Sequence, residues 1–140
     1  MATFNKIEKF LEDLFKKVHD LHNDVLKVYA SNTAPNAATH TVKADVAEIT
    51  AANGYPSGGT DVQNVVSRSG GTTSVTATDV VWTASGGSFG PLRYIPLYND
   101  TPAATPTDPL IGWWDYGSSI TILDGESFTV DFGASLFSAT

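Results

Sequence analysis

Three imidazoles and a few carboxylates set the outer limit of the chemistry this chain could do. His19 and His22 form an H-x-x-H with Asp20 and Asp24 beside them, and on a helix positions i and i+3 share a face that could hold a metal ion. His40 is the only other histidine, so a three-imidazole site would have to draw it in from a distant loop. The simpler reading is the polar end of a helix and the turn that follows, where His, Asn and Asp commonly sit. That reading expects no metal and no cofactor.

Asp108, Asp115, Asp124, Glu126 and Asp131 supply enough carboxylates for a glycosidase pair. That chemistry needs two of them at a fixed separation in a cleft, one with a raised pKa. Here Asp124 and Glu126 fall in a turn signal, and Asp131 falls on the outward side of an alternating run. There is no cysteine to act as nucleophile or thiolate ligand, no G-x-S-x-G elbow, and no Gly-rich loop followed by Lys and a helix. The Gly-Gly pairs at 58–59, 70–71 and 86–87 read as turns. A non-enzyme is expected.

The remaining sharp feature is aromatic: Trp82, Tyr94, Tyr98, Trp113, Trp114 and Tyr116. Aromatic rings on a sheet face either stack on sugars or anchor a protein interface. Adjacent residues of a strand point to opposite faces, so one of Trp113 and Trp114 should be core and the other outer. The expected interface set is Phe10, Phe15, Tyr29, Tyr55, Trp113, Trp114 and Tyr116.

These side chains need elements to position them. Ile7, Leu11, Leu14, Val18 and Leu21 recur at spacings of three and four, with Phe10 and Phe15 widening the stripe, which predicts an amphipathic helix over about 4–21. Glu12 to Lys16 and Asp13 to Lys17 are i,i+4 pairs in the helix-favouring order. After Asp24 the period becomes two, predicting a strand over 25–31. The Ala-, Asn-, Gly- and Pro-rich stretch over about 32–60 reads as a long loop with one weak element at 42–49, a candidate arm that orders on assembly. Short β-type runs follow at 61–67, 73–84, 91–98, 110–116, 119–123 and 126–132. Asp124-Gly125 is a two-residue hairpin signal that predicts antiparallel pairing of the last two of these, and 133–140 reads as a tail.

The expected fold is mainly β: one domain over 1–140, an antiparallel β-sandwich or jelly-roll-like body over about 25–132 behind an N-terminal helix. The chain has 140 residues and a net charge of −7. Residues 1–28 balance five Lys against five acids, so the whole net charge falls on the β part. An acidic body repels phosphate backbones, which argues against a nucleic-acid partner. No apolar run approaches a membrane span or a signal h-region, so no membrane partner and synthesis in the cytoplasm are expected.

Asp-Val-Leu-Lys-Val-Tyr-Ala-Ser-Asn-Thr-Ala-Pro from Asp24 and Ala-Asn-Gly-Tyr-Pro-Ser-Gly-Gly at 52–59 resemble a group of small virion proteins of tailed bacteriophages. So do Gly-Pro-Leu-Arg-Tyr at 90–94, Leu-Tyr-Asn-Asp at 97–100 and Pro-Leu-Ile-Gly-Trp-Trp-Asp-Tyr-Gly at 109–117. The resemblance implies a phage particle as the setting, with capsid decoration (cement) proteins as the nearest class in size and β content. It implies the major capsid protein as partner, a dimer or trimer, and a place on the outer capsid surface after assembly in the host cytoplasm. The alternative in that setting is a tail-tube, head-tail connector or fibre component; outside it, a carbohydrate-binding module.

Overall fold

Short stretches of β-branched and aromatic residues, punctuated by Gly, Pro and Asp, favour strands over helix. The computed structural model describes residues 2–140 and pairs these stretches into antiparallel sheets with a single α-helix. In chain order the elements are β1 (Phe4–Lys6), α1 (Lys9–Phe15), β2 (Leu26–Val28), a 3-10 turn (Lys43–Asp45), β3 (Thr60–Asp61), β4 (Val65–Ser69), β5 (Thr72–Thr76), β6 (Val80–Thr83), β7 (Phe89–Asn99), β8 (Leu110–Ile122), β9 (Ser127–Val130) and β10 (Phe137–Ala139). They form a five-stranded sheet in the order β1-β8-β7-β2-β3, a three-stranded sheet β10-β5-β4 and the pair β6-β9. Buried side chains of all three sheets, among them Leu26, Leu97 and Ile111, Val75, and Trp82 with Phe128, belong to one apolar cluster. Among the described residues no helix is long and apolar enough to cross a membrane.

The expected helix over 4–21 is seven residues long. Phe4–Lys6 is instead a strand in register with Trp114, Trp113 and Gly112 of β8, because its backbone gains partners there while Phe4 packs on Trp114 and Phe137. The C-terminus comes early: Val18 N–H donates to Asp13 O and Lys17 N–H to Leu14 O, with Lys17 left-handed at φ 64. That is a Schellman closure with lysine where glycine is usual. The apolar stripe shortens accordingly. Ile7 and Phe10 are buried, whereas Leu11 and Phe15 face solvent. The Glu12–Lys16 pair forms, but Asp13 turns back to Lys9 at 2.9 Å and leaves Lys17.

Strand β2 carries the expected alternation, and Leu26, Val28 and Ala30 are buried. The opposite side fills as well, since Tyr29 and Ser31 are also buried beneath the 32–60 segment. That segment is no free arm. Tyr29 donates to Val46 O at 2.8 Å, Ser31 Oγ donates to Ala47 O at 2.6 Å, and Val46 and Tyr55 enter the core. Gly70-Gly71 makes the two-residue turn between β4 and β5. Asp124-Gly125 does turn the chain, Glu126 N–H donating to Leu123 O, yet β8 and β9 are not neighbours: β9 pairs with β6. The core face of Phe128 and Val130 is met by Trp82 and Val80 across that ladder, and this burial outranks the local turn signal. The stretch over 133–140, read as a tail, holds β10, which closes on β5.

Candidate functional site

Strand β8 runs through the centre of the largest sheet and changes character halfway. Up to Trp114 it is flanked by β1 and β7; beyond it, four residues, Tyr116 to Ser119, face only Arg93 between the Tyr94–Asp115 and Leu92–Ile120 pairs. Such an excess forces the strand to bulge outward. Asp115 anchors the bulge by accepting Gly117 N–H at 2.8 Å and a two-toothed guanidinium contact from Arg93 at 2.9 and 3.1 Å. The Arg93 hydrogen bonds hold the Asp115 carboxyl below the ordinary carboxylate range. Tyr116 is lifted to 54% exposure while its ring rests 5.6 Å from that of Phe128 on β9.

Between this end of β8 and β9 lies a groove of ≈ 580 Å³. Ile95, Trp114, Tyr116, Phe128 and Val130 give it an apolar lining, and Asp115, Thr129 and Asp131 a polar one. Two carboxylates, Asp115 and Asp131, thus line it, the first of them paired with the Arg93 guanidinium.

Of the expected interface residues, the groove brings together Trp114 and Tyr116. Trp114 is the buried member of its pair, packed between Phe4 and Phe132, and Trp113 lies half-buried on the other face. Phe15 stands alone at 82% exposure on the last turn of α1. Phe10, Tyr29 and Tyr55 are not surface groups at all. Phe10 packs on His19 and Phe137. Burial pushes the Tyr29 and Tyr55 phenols well above their ordinary range, and both hydroxyls are used internally. Phe128, Val130 and Ile95 were missed as groove residues because alternation marks a side chain as buried without saying whether protein or a cleft meets it.

The imidazoles diverge. His22 Nδ1 accepts Val66 N–H, His40 Nδ1 accepts Asn36 N–H, and His19 lies against Asn99 Nδ2 at 3.0 Å. No three His, Cys, Asp or Glu side chains cluster as a metal site among the described residues. Asp124 accepts Gly86 N–H of a neighbouring turn, while Glu126 accepts Leu123 N–H and Asp131 accepts Gly133 N–H within their own turns. Burial raises the Asp108 carboxyl, with the Asp100 charge adding to it.

His19 carries a pH dependence. Burial lowers its pKa, opposed by the carboxylates of Asp13 and Asp24, and with Asn99 donating to Nδ1 the proton on Nε2 meets no partner. The unfolded chain therefore binds a proton at higher pH than the folded one, and stability falls as pH drops through the ordinary histidine range of about 6.5. The melting temperature is expected to fall between about pH 7.5 and about pH 5, and His19→Gln to remove most of that slope; a thermal melt series on both chains reads it.

No family model, curated protein or solved structure matches this chain.

Proposed function

We propose that this protein is a capsid decoration, or cement, protein of a tailed bacteriophage, its sheets stacked as a jelly-roll-like sandwich that binds the outer surface of the assembled shell across subunit boundaries. The observation that carries this reading is Phe15, a phenylalanine at 82% exposure on the charge-balanced N-terminal segment of an acidic protein. An exposed ring of that size gains roughly 2–3 kcal/mol when a partner covers it, and it does so without a cleft for substrate. The resemblance of segments 24–35, 52–59, 90–94, 97–100 and 109–117 to small phage virion proteins supplies the setting.

The thermodynamics suit the role. A ligand that binds the assembled shell and not free subunits stabilises the shell by mass action. Modest contacts suffice when repeated over a symmetric surface, and a dimer or trimer on a local axis multiplies them. A sugar-binding reading has less support, because Trp114 is buried and Trp113 half-buried, which leaves Tyr116 as the single open ring of the three.

The test is an addition assay with purified protein and capsids that lack it, read by sedimentation and electron microscopy. Saturable binding at regular capsid positions with raised heat resistance is the expected result, and Phe15→Ser is expected to weaken binding about tenfold, the value of one partly covered ring. Absence from capsids together with ring formation or tail binding would replace this reading with a tail-tube or connector role.

A further inference from the structure

Among the described residues strand β9 has a partner strand on one side only. Its ladder with β6 pairs Val80 with Val130, Val81 with Thr129, Trp82 with Phe128 and Thr83 with Ser127. One further hydrogen bond, from Ala84 N–H to Glu126 O, fixes the parity of that ladder. In an antiparallel pair the hydrogen-bonded residues alternate, so Glu126, Phe128 and Val130 turn their backbones toward β6. Ser127 and Thr129 turn theirs away from it, on the side where no strand of the described residues is paired. Thr129 lines the groove, and across it the β1 ladder stops at Trp114, leaving Asp115 and Tyr116 without a paired strand on that edge among the described residues, with Ala2 also lining the groove.

An unpaired strand edge is normally blunted by lysine, proline or a covering loop. Ser127-Phe-Thr-Val130 contains neither lysine nor proline. The side chains around it are selective. Tyr116 offers an exposed ring to an incoming strand, with Trp114, Phe128 and Val130, themselves buried, forming the apolar wall behind it. Asp131 lines the same groove and Glu126 adjoins Ser127 in sequence, so negative charge stands beside the edge with Arg93 already committed to Asp115. A second copy of this chain would bring its own net −7 against those carboxylates.

The geometry points to strand addition at β9: an extended segment of a partner protein, with apolar side chains alternating with Lys or Arg, pairs with the outward backbone of Ser127 and Thr129 and lays its apolar side in the groove. This deepens the decoration reading and rests on it for the partner, a strand of the shell subunit. The segment's main-chain bonds give affinity, and its charges discriminate it from acidic segments, including those of this protein.

The test uses the full chain, labelled for backbone amide spectra, with two synthetic probes: Lys-Val-Lys-Val-Lys-Val-Lys and the same peptide with Glu in place of Lys. The basic probe is expected to bind, more weakly as salt rises, with the largest amide shifts at Ser127 and Thr129; the acidic probe is expected not to bind. Tyr116→Ala, an exposed position, and Thr129→Pro, which removes an N–H the ladder does not use, should each weaken the basic probe about tenfold. Equal binding of both probes, shifts centred elsewhere, no binding, or indifference to both variants overturns the strand site. The same two variants enter the capsid addition assay. Capsid binding by the parent and both variants alike would keep the decoration reading and remove this site, whereas probe binding without capsid binding would keep the site and remove the shell as its partner.

Discussion

A Gly59→Ala chain is expected to lose at least about 4 kcal/mol of stability, a large share of the roughly 5–15 kcal/mol that a domain holds in reserve. Gly59 sits at φ +78 where the chain enters β3, and a Cβ there would overlap the carbonyl group of Val28 and the Cα of Tyr29. These are backbone atoms of the strand that β3 pairs with, so no side chain can swing aside. Val28 and Tyr29 are themselves fully buried, and the sheet must shift to relieve the overlap. Gly70 is the control. Its φ is +59, but nothing lies within 4 Å of its absent Cβ, so Gly70→Ala should cost only the left-handed strain of about 1 kcal/mol. Urea unfolding of the two variants beside the parent separates backbone collision from conformational preference. Equal losses would mean that the turn conformation matters at Gly59 and the close approach does not.

Glu48→Ala is expected to cost about 3 kcal/mol and to loosen one segment more than the rest. The Glu48 carboxylate is largely shielded and accepts from Tyr55 Oη at 2.7 Å, Gly58 N–H at 2.7 Å and Lys43 Nζ at 3.0 Å. Tyr55 Oη accepts Ala30 N–H at 2.9 Å in turn, which ties the segment to the extension of β2. Alanine would leave a cation, a phenol and an amide in poor solvent with nothing to donate to. Glutamine keeps one acceptor oxygen and should recover part of the loss. Amide exchange reads the locality: Gly58 should exchange faster in Glu48→Ala than global unfolding allows. An unchanged Gly58 rate relative to the core would mean that Val46 and Tyr55 packing alone holds the segment.

Glu48 was invisible in the sequence, and the reason is physical. A carboxylate in an Ala- and Gly-rich stretch has no periodicity to mark it, and its three donors come from residues five, seven and ten positions away in a fold that must be known first. What was legible depended on short-range pattern. The alternation of Phe128, Val130 and Phe132 against Ser127, Thr129 and Asp131 matches their burial, and Gly70-Gly71 turns as its composition requires. The opposed fates of Trp113 and Trp114 follow from strand geometry alone. What failed depended on partners. Phe4, Ile7, Phe10 and Leu14 fit a helical stripe, yet Phe4 is claimed by a strand a hundred residues downstream. Tyr29 and Tyr55 look like interface aromatics because their hydroxyls want polar neighbours, and those neighbours are internal. Of the groove, Trp114 and Tyr116 could be named in advance, while its β9 wall could not, since nothing local says that β9 leaves β8 for β6.

That distant pairing bears on how the molecule is made. Asn5 hydrogen-bonds across to Trp113, 108 positions away, so β1 has no edge to join until β8 has left the ribosome. At roughly 5–20 residues per second the wait is roughly 5–20 s, during which Phe4, Ile7 and Phe10 travel as an uncovered apolar segment. Closing so large a loop is also slow for reasons of entropy alone. The segment around β1 is therefore among the last to find its place, and until β8 follows it offers apolar side chains that a chaperone could cover.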